Sequence, residues 1–278
     1  MTDEQFCFFT KNGYLIIDDV FSINKLNKIE FYLKNMISLQ IKKAKKEYPN
    51  KENILKETIG YELCKGINAL ETINHKYILE FYSSLDVSNC PYTSQLIGQQ
   101  NILDYINELL KLDVTNPLFV TSGSILFAAP NDNLYTANKW HTDVFYTFKD
   151  GQYIHFWAPL IENTSKELGA IHVLPGSHKK PFQGQIRDTS RKDSSIHKYV
   201  ISDNVLEEYE DKVIELKLGQ GLFFDQHLIH RGGFNSTNRS RFGVIGFYHS
   251  MSNPSFSPYP LNHPKQISAD EYFDEIMS

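Results

Sequence analysis

A histidine and an aspartate with the chemistry of metal ligands lie in the segment 140–146, which reads WHTDVFY. His141 and Asp143 are two residues apart, on a strand that the sequence predicts over 139–148. Alternate residues of a strand point to the same face, so one imidazole nitrogen and one carboxylate oxygen would be offered to a single ion. This spacing is common by chance, and a third ligand is needed to make the pattern specific.

The third ligand is expected in the segment 221–233, GLFFDQHLIHRGG, which predicts a strand that ends in a glycine turn. Of its two histidines, His227 and His230, the second stands at the end of the predicted strand, where the glycines let the backbone bend and open a site. His141, Asp143 and His230 would form a facial triad that leaves three positions of an octahedral metal open. Ferrous iron with an organic co-substrate uses such a site.

Zinc is the alternative metal. Zinc closed by cysteine is disfavoured because Cys7, Cys64 and Cys90 lie far from the predicted ligands in sequence and form no C-x-x-C pair. A hydrolytic zinc held by the same triad stays open, although it would give no purpose to Arg241, which lies 11 residues after His230. The residues alone therefore leave an oxygenase and a metal-dependent hydrolase as alternatives.

The elements that must position these residues begin with a mainly helical part over 1–116. After a strand-like stretch at 14–17, Ser22 is predicted to cap a long helix. Its apolar residues recur at helical spacing: Leu26, Ile29, Leu33 and Ile37. Further helices are predicted over 68–82 and 94–112, and together they are expected to cover one face of the domain.

From residue 117 to residue 250 the sequence changes to short β-rich segments between turn residues, which is typical of a sandwich or barrel. Strands are predicted over 118–127, 139–148, 152–160, 169–174, 212–217, 221–230 and 241–248. About seven or eight strands with helices outside is the number that a jelly roll requires. A polar insertion over 180–208 is interpreted as a lid or a surface loop, and 251–278 as a C-terminal extension.

The composition indicates one folded domain and excludes several partners. The chain has 278 residues, of which 41% are hydrophobic, and its net charge of -5 gives no basic surplus for a nucleic acid backbone. No apolar run approaches the ~18 residues of a membrane span, and the first 20 residues lack the basic and apolar regions of a secretion signal, so membrane insertion and secretion are not expected. Three cysteines, an odd number, argue against a disulfide framework, so a cytoplasmic location is expected.

Four motifs follow one another along the chain: WHTD, HFWAPL, ELGAIHVLPGSHK, and DQHLIHRGG with Arg241 after it. In this order they resemble the phytanoyl-CoA dioxygenase family of iron and 2-oxoglutarate dependent oxygenases. The opening FTKNGYLIIDDVFS is similar to the start of that family's domain, so the likeness runs from residue 9 to about residue 248. The expected fold is mainly β with an α cover, namely a double-stranded β-helix of the jelly-roll, cupin-like type flanked by N-terminal helices.

The resemblance implies that His141, Asp143 and His230 bind Fe(II), with 2-oxoglutarate and O2 as co-substrates. It implies that Arg241 pairs with the distal carboxylate of 2-oxoglutarate, which a permanently charged guanidinium can hold through two parallel hydrogen bonds. Trp157 would border this co-substrate, and a core tryptophan is the alternative interpretation.

Several other residues are given secondary roles. Arg239 is the fallback anchor for the co-substrate, and His178 of the PGSHK run is expected to be structural. Many relatives have a small hydroxyl residue two positions after the distal histidine, where this chain has Gly232. The remaining histidines of the strand region are expected to be strand or rim residues rather than ligands: His155, His172, His227 and His249.

The implied reaction hydroxylates an unactivated C–H bond and converts 2-oxoglutarate to succinate and CO2. Related halogenases have a small residue at the position of Asp143, so hydroxylation is expected and halogenation is not. A small polar metabolite is preferred as the substrate over a long acyl-CoA. The candidate substrate residues are Asn138, Lys139, Phe145 and Tyr146. A non-catalytic jelly-roll ligand-binding module and a metal-dependent hydrolase or isomerase on a cupin-like barrel remain the alternatives.

Overall fold

The structure is a computed structural model that describes residues 1–56, 63–113, 118–128, 139–144, 152–188, 199–250 and 269–278. Its N-terminal part is helical, as the apolar spacing predicts. The helices there are α1 (Asp3–Asn12), α2 (Ile23–Glu47), α3 (Glu52–Lys56), α4 (Leu63–Ile73), α5 (Lys76–Ser84), α6 (Pro91–Ile97) and α7 (Gln100–Leu109). The predicted cap of α2 is confirmed, because the side chain of Ser22 accepts a hydrogen bond from the amide of Lys25.

The strands form antiparallel sheets. They are β1 (Tyr14–Ile17), β2 (Leu118–Ala128), β3 (Tyr153–Pro159), β4 (Ile171–Val173), β5 (Gln185–Arg187), β6 (Tyr199–Ile201), β7 (Lys212–Ile214), β8 (Gly221–Asp225), β9 (His230–Gly232) and β10 (Arg241–Ser250). A five-stranded sheet has the order β1-β8-β3-β10-β2, a three-stranded sheet the order β7-β4-β9, and β5 pairs with β6. Two more helices are α8 (Asp203–Leu206) and α9 (Ala269–Met277).

The two faces of the five-stranded sheet have different neighbours, which the alternation along β3 shows. Ile154 and Phe156 point to one face and belong to the hydrophobic core that contains Leu33 of α2 and Leu70 of α4. Trp157 points to the other face. The helices therefore cover one face of this sheet and leave the opposite face for other contacts.

That opposite face packs against the three-stranded sheet. Trp157 of β3 and Phe224 of β8 form one buried cluster with Ile171 and Val173 of β4 and Ile214 of β7. Two antiparallel sheets thus enclose an interior lined by apolar side chains. The finer jelly-roll topology and the division into 1–116, 117–250 and 251–278 remain predictions.

Two predicted strands differ from the structure. Residues 139–144 are not a strand, and their described pairing is a single antiparallel bridge between His141 and His230, while 145–148 lie outside the described residues. The predicted strand 221–230 is two strands, β8 and β9. The chain turns between them because Asp225 accepts hydrogen bonds from the amides of His227 and Leu228, through its side chain and its carbonyl respectively.

The insertion 180–208 is not an unstructured loop in its described parts, 180–188 and 199–208. These contain β5, β6 and α8. The helix α1 is absent from the predictions, and the predicted helices 68–82 and 94–112 are each divided in two, α4 with α5 and α6 with α7. No helix within the described residues is long and apolar enough to cross a membrane.

Candidate metal centre

A backbone bridge brings the two predicted histidine ligands together. The amide of His141 donates to the carbonyl of His230 at 3.1 Å, and the amide of His230 donates to the carbonyl of His141 at 3.0 Å. Residues that face each other in such a pair carry their side chains to the same face of the sheet. The two imidazole rings accordingly lie with their centroids 4.5 Å apart.

Asp143 completes the cluster. His141, Asp143 and His230 each offer one ligand atom, and these atoms lie within 4.8 Å of one another. Nε2 of His141 is 3.5 Å from Oδ1 of Asp143, and Nε2 of His230 is 3.5 Å from Oδ2. All three residues are buried: the exposed fraction is 2% for His141, 8% for Asp143 and 7% for His230. Two nitrogens and one carboxylate are a donor set that divalent iron or zinc accepts.

Both histidines are oriented by main-chain carbonyls. Nδ1 of His141 is 2.7 Å from the carbonyl oxygen of Lys139, and Nδ1 of His230 is 2.9 Å from that of Leu228. A carbonyl only accepts, so each Nδ1 carries a proton, and in the neutral form of each ring Nε2 has a lone pair that faces the cluster. This tautomer is the one that binds a metal through Nε2.

The three ligands shift one another's proton affinities. Burial, followed by the charge of His230, lowers the pKa of His141. Burial alone would raise the pKa of Asp143, but the charge of His230 and the contacts with neighbouring imidazoles outweigh it and hold this pKa well below its usual value. Burial alone would lower the pKa of His230, but the nearby charge of Asp143 outweighs burial and raises this pKa. The carboxylate is therefore ionised at neutral pH.

A further imidazole lies beside the cluster and was not expected there. His155 on β3 is fully buried, and its Nδ1 is 3.2 Å from Oδ2 of Asp143. It is not one of the grouped ligands, in agreement with the expectation that it is a strand residue. Its position on the same face of β3 as Trp157 was the signal in the sequence that could have placed it at the site.

Arg241 and Trp157 lie together in the interior. Arg241 is buried, its Nη1 donates to the carbonyl of Gly169, and its guanidinium carbon is 5.5 Å from the centre of the Trp157 ring. Burial lowers the pKa of Arg241 to about 10. Within the described part of the chain no carboxylate pairs with this guanidinium, although a buried charge without a partner is costly. The site is therefore suited to an anion.

Arg239, the fallback anchor for the co-substrate, lies at the protein surface. Its side chain is 59% exposed and forms a salt bridge with Glu162. It lies two residues before the start of β10, so the alternation of that strand does not place it beside Arg241. A surface guanidinium that already has a carboxylate partner has no reason to hold a buried co-substrate.

The hairpin of β5 and β6 holds the segment that carries the ligands. Nε2 of Gln185 donates to Oγ1 of Thr142 at 2.9 Å, and both residues are buried. The amide of Ile201 donates to the carbonyl of Trp140 at 2.9 Å. These described contacts make this part of the insertion a support for the segment 139–144, and a role of the insertion as a lid stays a prediction.

The candidate substrate residues are only partly described. The side chain of Lys139 reaches Asp188 at 2.7 Å and is 51% exposed, while its carbonyl orients His141. Asn138, Phe145 and Tyr146 lie outside the described residues. The substrate role of all four stays a prediction.

The PGSHK run supports the turn before His230. Oγ of Ser177 accepts a hydrogen bond from the amide of Ile229 at 2.9 Å. His178 instead packs on the end of α1, where its Nε2 is 3.2 Å from the carbonyl oxygen of Thr10. A side chain on Gly13 would meet this ring, since a Cβ there would lie 2.5 Å from Nδ1 of His178. The structural role expected for His178 agrees with these contacts.

Comparison with known proteins identifies solved structures of the same fold. The chain is similar to EctD from S. alaskensis with bound Fe, with a TM-score of 0.61 at 14% identity over 95% of this chain and 82% of the other. It is also similar to EvdO2 from Micromonospora carbonacea var. aurantiaca complexed with 2-oxoglutarate, with a TM-score of 0.57 at 16% identity over 95% of both chains. EctD has also been solved with 2-oxoglutarate and 5-hydroxyectoine, at a TM-score of 0.58 and 16% identity over 94% of this chain and 82% of the other. At these identities the likeness shows the fold.

Two sequence comparisons identify the family. A probable phytanoyl-CoA dioxygenase of Caenorhabditis elegans is 21% identical over 257 residues, which are 89% of this chain and 75% of that protein. The family model for phytanoyl-CoA dioxygenase matches residues 9–243, close to the span over which the motifs resemble that family. The chain therefore belongs to the phytanoyl-CoA dioxygenase family, whose oxygenases use Fe(II), 2-oxoglutarate and O2.

Proposed function

We propose that this protein is an Fe(II)- and 2-oxoglutarate-dependent dioxygenase that hydroxylates an unactivated C–H bond of a small polar metabolite and releases succinate and CO2. One observation carries the proposal: two buried imidazoles present their Nε2 atoms to one buried carboxylate, while their Nδ1 atoms are occupied by main-chain carbonyls. Family membership supports the oxygenase class.

His141, Asp143 and His230 would hold the iron. Three protein ligands leave three positions of an octahedral ion for other ligands, as this chemistry needs. When bound, the iron and 2-oxoglutarate supply the activation of O2 that oxidises the substrate. The chain contributes the orientation of both imidazoles, the ionised carboxylate and burial of the site from bulk water.

Arg241 would bind the distal carboxylate of 2-oxoglutarate, with Trp157 beside it. A buried guanidinium without a carboxylate partner in the described chain supports this role, because a bound dianion would compensate its charge. The indole ring contributes an apolar wall next to that charge. Gly232 offers no hydroxyl, so any further hydrogen bond to the co-substrate comes from another residue.

The preference for a small polar substrate is supported by one relative. EctD has been solved with 5-hydroxyectoine, which is a small polar molecule. Substrate residues of this chain are proposed at Asn138, Lys139, Phe145 and Tyr146. A screen of amino acids, phosphonates and quaternary amines for O2-dependent succinate release tests this preference.

The experiment that tests the cofactor assignment is an anaerobic titration of the protein with Fe(II) and then 2-oxoglutarate. We expect the weak visible absorption band of the chelate in the wild type. Arg241→Ala should weaken 2-oxoglutarate binding at least about tenfold, since a buried charged hydrogen bond is worth more than 1.4 kcal/mol. Arg239→Ala is the matched control, because that arginine is exposed and paired with Glu162, and it should bind like the wild type.

Three results would contradict the proposal. No band in the wild type, or an undiminished 2-oxoglutarate affinity in Arg241→Ala, would exclude the cofactor assignment. Turnover of a substrate without O2 and 2-oxoglutarate would indicate a hydrolase or isomerase. Ligand binding that needs no metal and survives His141→Ala would indicate a non-catalytic module.

A further inference from the structure

The fully buried imidazole of His155 is surrounded mainly by aromatic rings. The centroids of Phe224 and Phe247 lie 4.7 and 4.4 Å from the centroid of its ring, and that of Tyr153 lies 5.3 Å away. An aromatic or aliphatic side chain would fill such a space without placing two polar nitrogens in it. Burying the polar imidazole among these rings costs free energy unless its nitrogens find a polar partner.

The polar neighbour of His155 is Asp143. Nδ1 of His155 lies 3.2 Å from Oδ2 of the Asp143 carboxylate. Among the described residues, neither ring nitrogen has a well-aligned hydrogen-bond partner of its own. The carboxylate of Asp143 approaches a nitrogen of His155 to 3.2 Å, and this contact explains a polar residue at this position.

The carboxylate of Asp143 has few described contacts that could fix its orientation. Its segment makes one bridge to the three-stranded sheet, at His141, and Asp143 itself has no strand partner in the described residues. Two imidazoles of that side approach its two oxygens at 3.5 Å each. His155 approaches from β3, which belongs to the opposite sheet. The carboxylate is thus contacted from both sheets, which restricts its rotation.

We propose that His155 is a positioning residue that fixes the orientation of the Asp143 carboxylate for metal binding, and that it is not itself a ligand. The inference rests on the proposed function, since it takes Asp143 as a metal ligand. The nitrogens of His155 are not part of the group of ligand atoms that lie within 4.8 Å of one another, so His155 acts through Asp143.

Three variants of His155 test the proposal through the affinity for Co(II), measured anaerobically by the visible absorption of the bound ion. His155→Leu removes both nitrogens and should weaken Co(II) binding about 10- to 100-fold, the range found when partners of metal ligands are lost. His155→Asn places an amide nitrogen near the position of Nδ1 and should restore most of the affinity. His155→Gln places its amide nitrogen near Nε2 and should not.

His172→Leu is the matched control. His172 is also a buried imidazole whose Nδ1 faces a carboxylate, Asp211 at 2.8 Å, but it lies on β4 and outside the cluster. It should leave the Co(II) affinity within about twofold of the wild type, because it touches none of the three ligands. Far-ultraviolet circular dichroism of each variant without metal shows whether it is folded.

The outcomes separate the inference from the function on which it rests. If the wild type binds no Co(II), the proposed function is wrong. If the wild type binds Co(II) and the Leu variant binds it equally well, the positioning role is overturned. Should the Leu variant not fold, the comparison of Asn with Gln decides: equal affinities of these two variants overturn the role, and stronger binding by Asn supports it.

Discussion

At the scale of the residue, the predicted ligands come together for a reason that the sequence pattern did not contain. The pairing of His141 with Asp143 was predicted from the alternation of a strand, and residues 139–144 are not a strand. Their convergence with His230 comes from one backbone bridge between distant parts of the chain. A contact between distant residues leaves no pattern in the local sequence, whereas the types of the side chains and the order of the motifs can be read from the sequence.

Gln185 is a residue-scale test of how the ligand segment is held. Gln185→Leu removes the hydrogen bond to Thr142 and leaves a buried hydroxyl unpaired, which should cost about 1–3 kcal/mol of the free energy of unfolding. Because Thr142 lies between two proposed ligands, Co(II) affinity should fall several-fold as well. Urea unfolding and Co(II) titration measure the two effects.

The control for that variant is Gln183→Leu in the same insertion. Gln183 contacts Glu208 on the surface, at 3.0 Å, and not the ligand segment. Gln183→Leu should bind Co(II) with the affinity of the wild type. Equal losses in the two variants would show that the insertion does not act through Thr142.

At the scale of the element, strands and helices with strong local patterns were predicted well. The helix after Ser22 and the strand near 118–127 are close to α2 and β2. The breaks at Asn74 and Gly98 and the turn between β8 and β9 were missed, since apolar spacing continues across them. The helix α1 had a readable signal, a capping box in which the side chains of Thr2 and Gln5 bond to each other's backbone amides.

The two faces of β10 lead to a prediction at this scale. A Cβ on Gly243 would lie 2.4 Å from Cζ2 of Trp157, on the face towards the interior. Gly243→Ala should displace the indole ring and weaken 2-oxoglutarate binding several-fold, because the ring lies beside Arg241. The absorbance titration with Fe(II) and 2-oxoglutarate measures this loss.

Gly246→Ala provides the contrast on the same strand. Its Cβ would lie 2.9 Å from the ring of Tyr248, which belongs to the core with the helices. This variant should lower the stability of the protein and leave the 2-oxoglutarate affinity of the folded protein unchanged. A loss of affinity as large as that of Gly243→Ala would contradict the division of β10 into two functional faces.

At the scale of the whole molecule, the five-stranded sheet separates the core that stabilises the fold from the site. The helices pack on one face, and Asp143 and His230 contact His155 and Phe224 on the other. The composition predicted neither layer by itself, but the change from helical to β texture near residue 117 indicated both. The substrate role of Asn138, Lys139, Phe145 and Tyr146 stays a prediction, because the lining of a substrate site depends on how distant segments of the chain meet.

This separation predicts that stability and metal binding can be changed independently. Leu33→Ala removes a fully buried side chain from the helical core and should cost about 2–5 kcal/mol of the free energy of unfolding. The Co(II) affinity of the folded variant should match the wild type within about twofold, since Leu33 lies on the far side of the sheet. Urea unfolding without metal and a titration at low temperature check both parts, and a parallel loss of affinity would show that the two layers are coupled.

The carbonyl groups that hold the two histidine rings have a consequence for how the protein can diversify. Every amino acid carries such a carbonyl, so positions 139 and 228 can change identity without turning either ring. Substitutions at these two positions therefore need not disturb the geometry of the imidazoles. The proposed metal centre could thus be kept unchanged in descendants of this protein that act on different molecules.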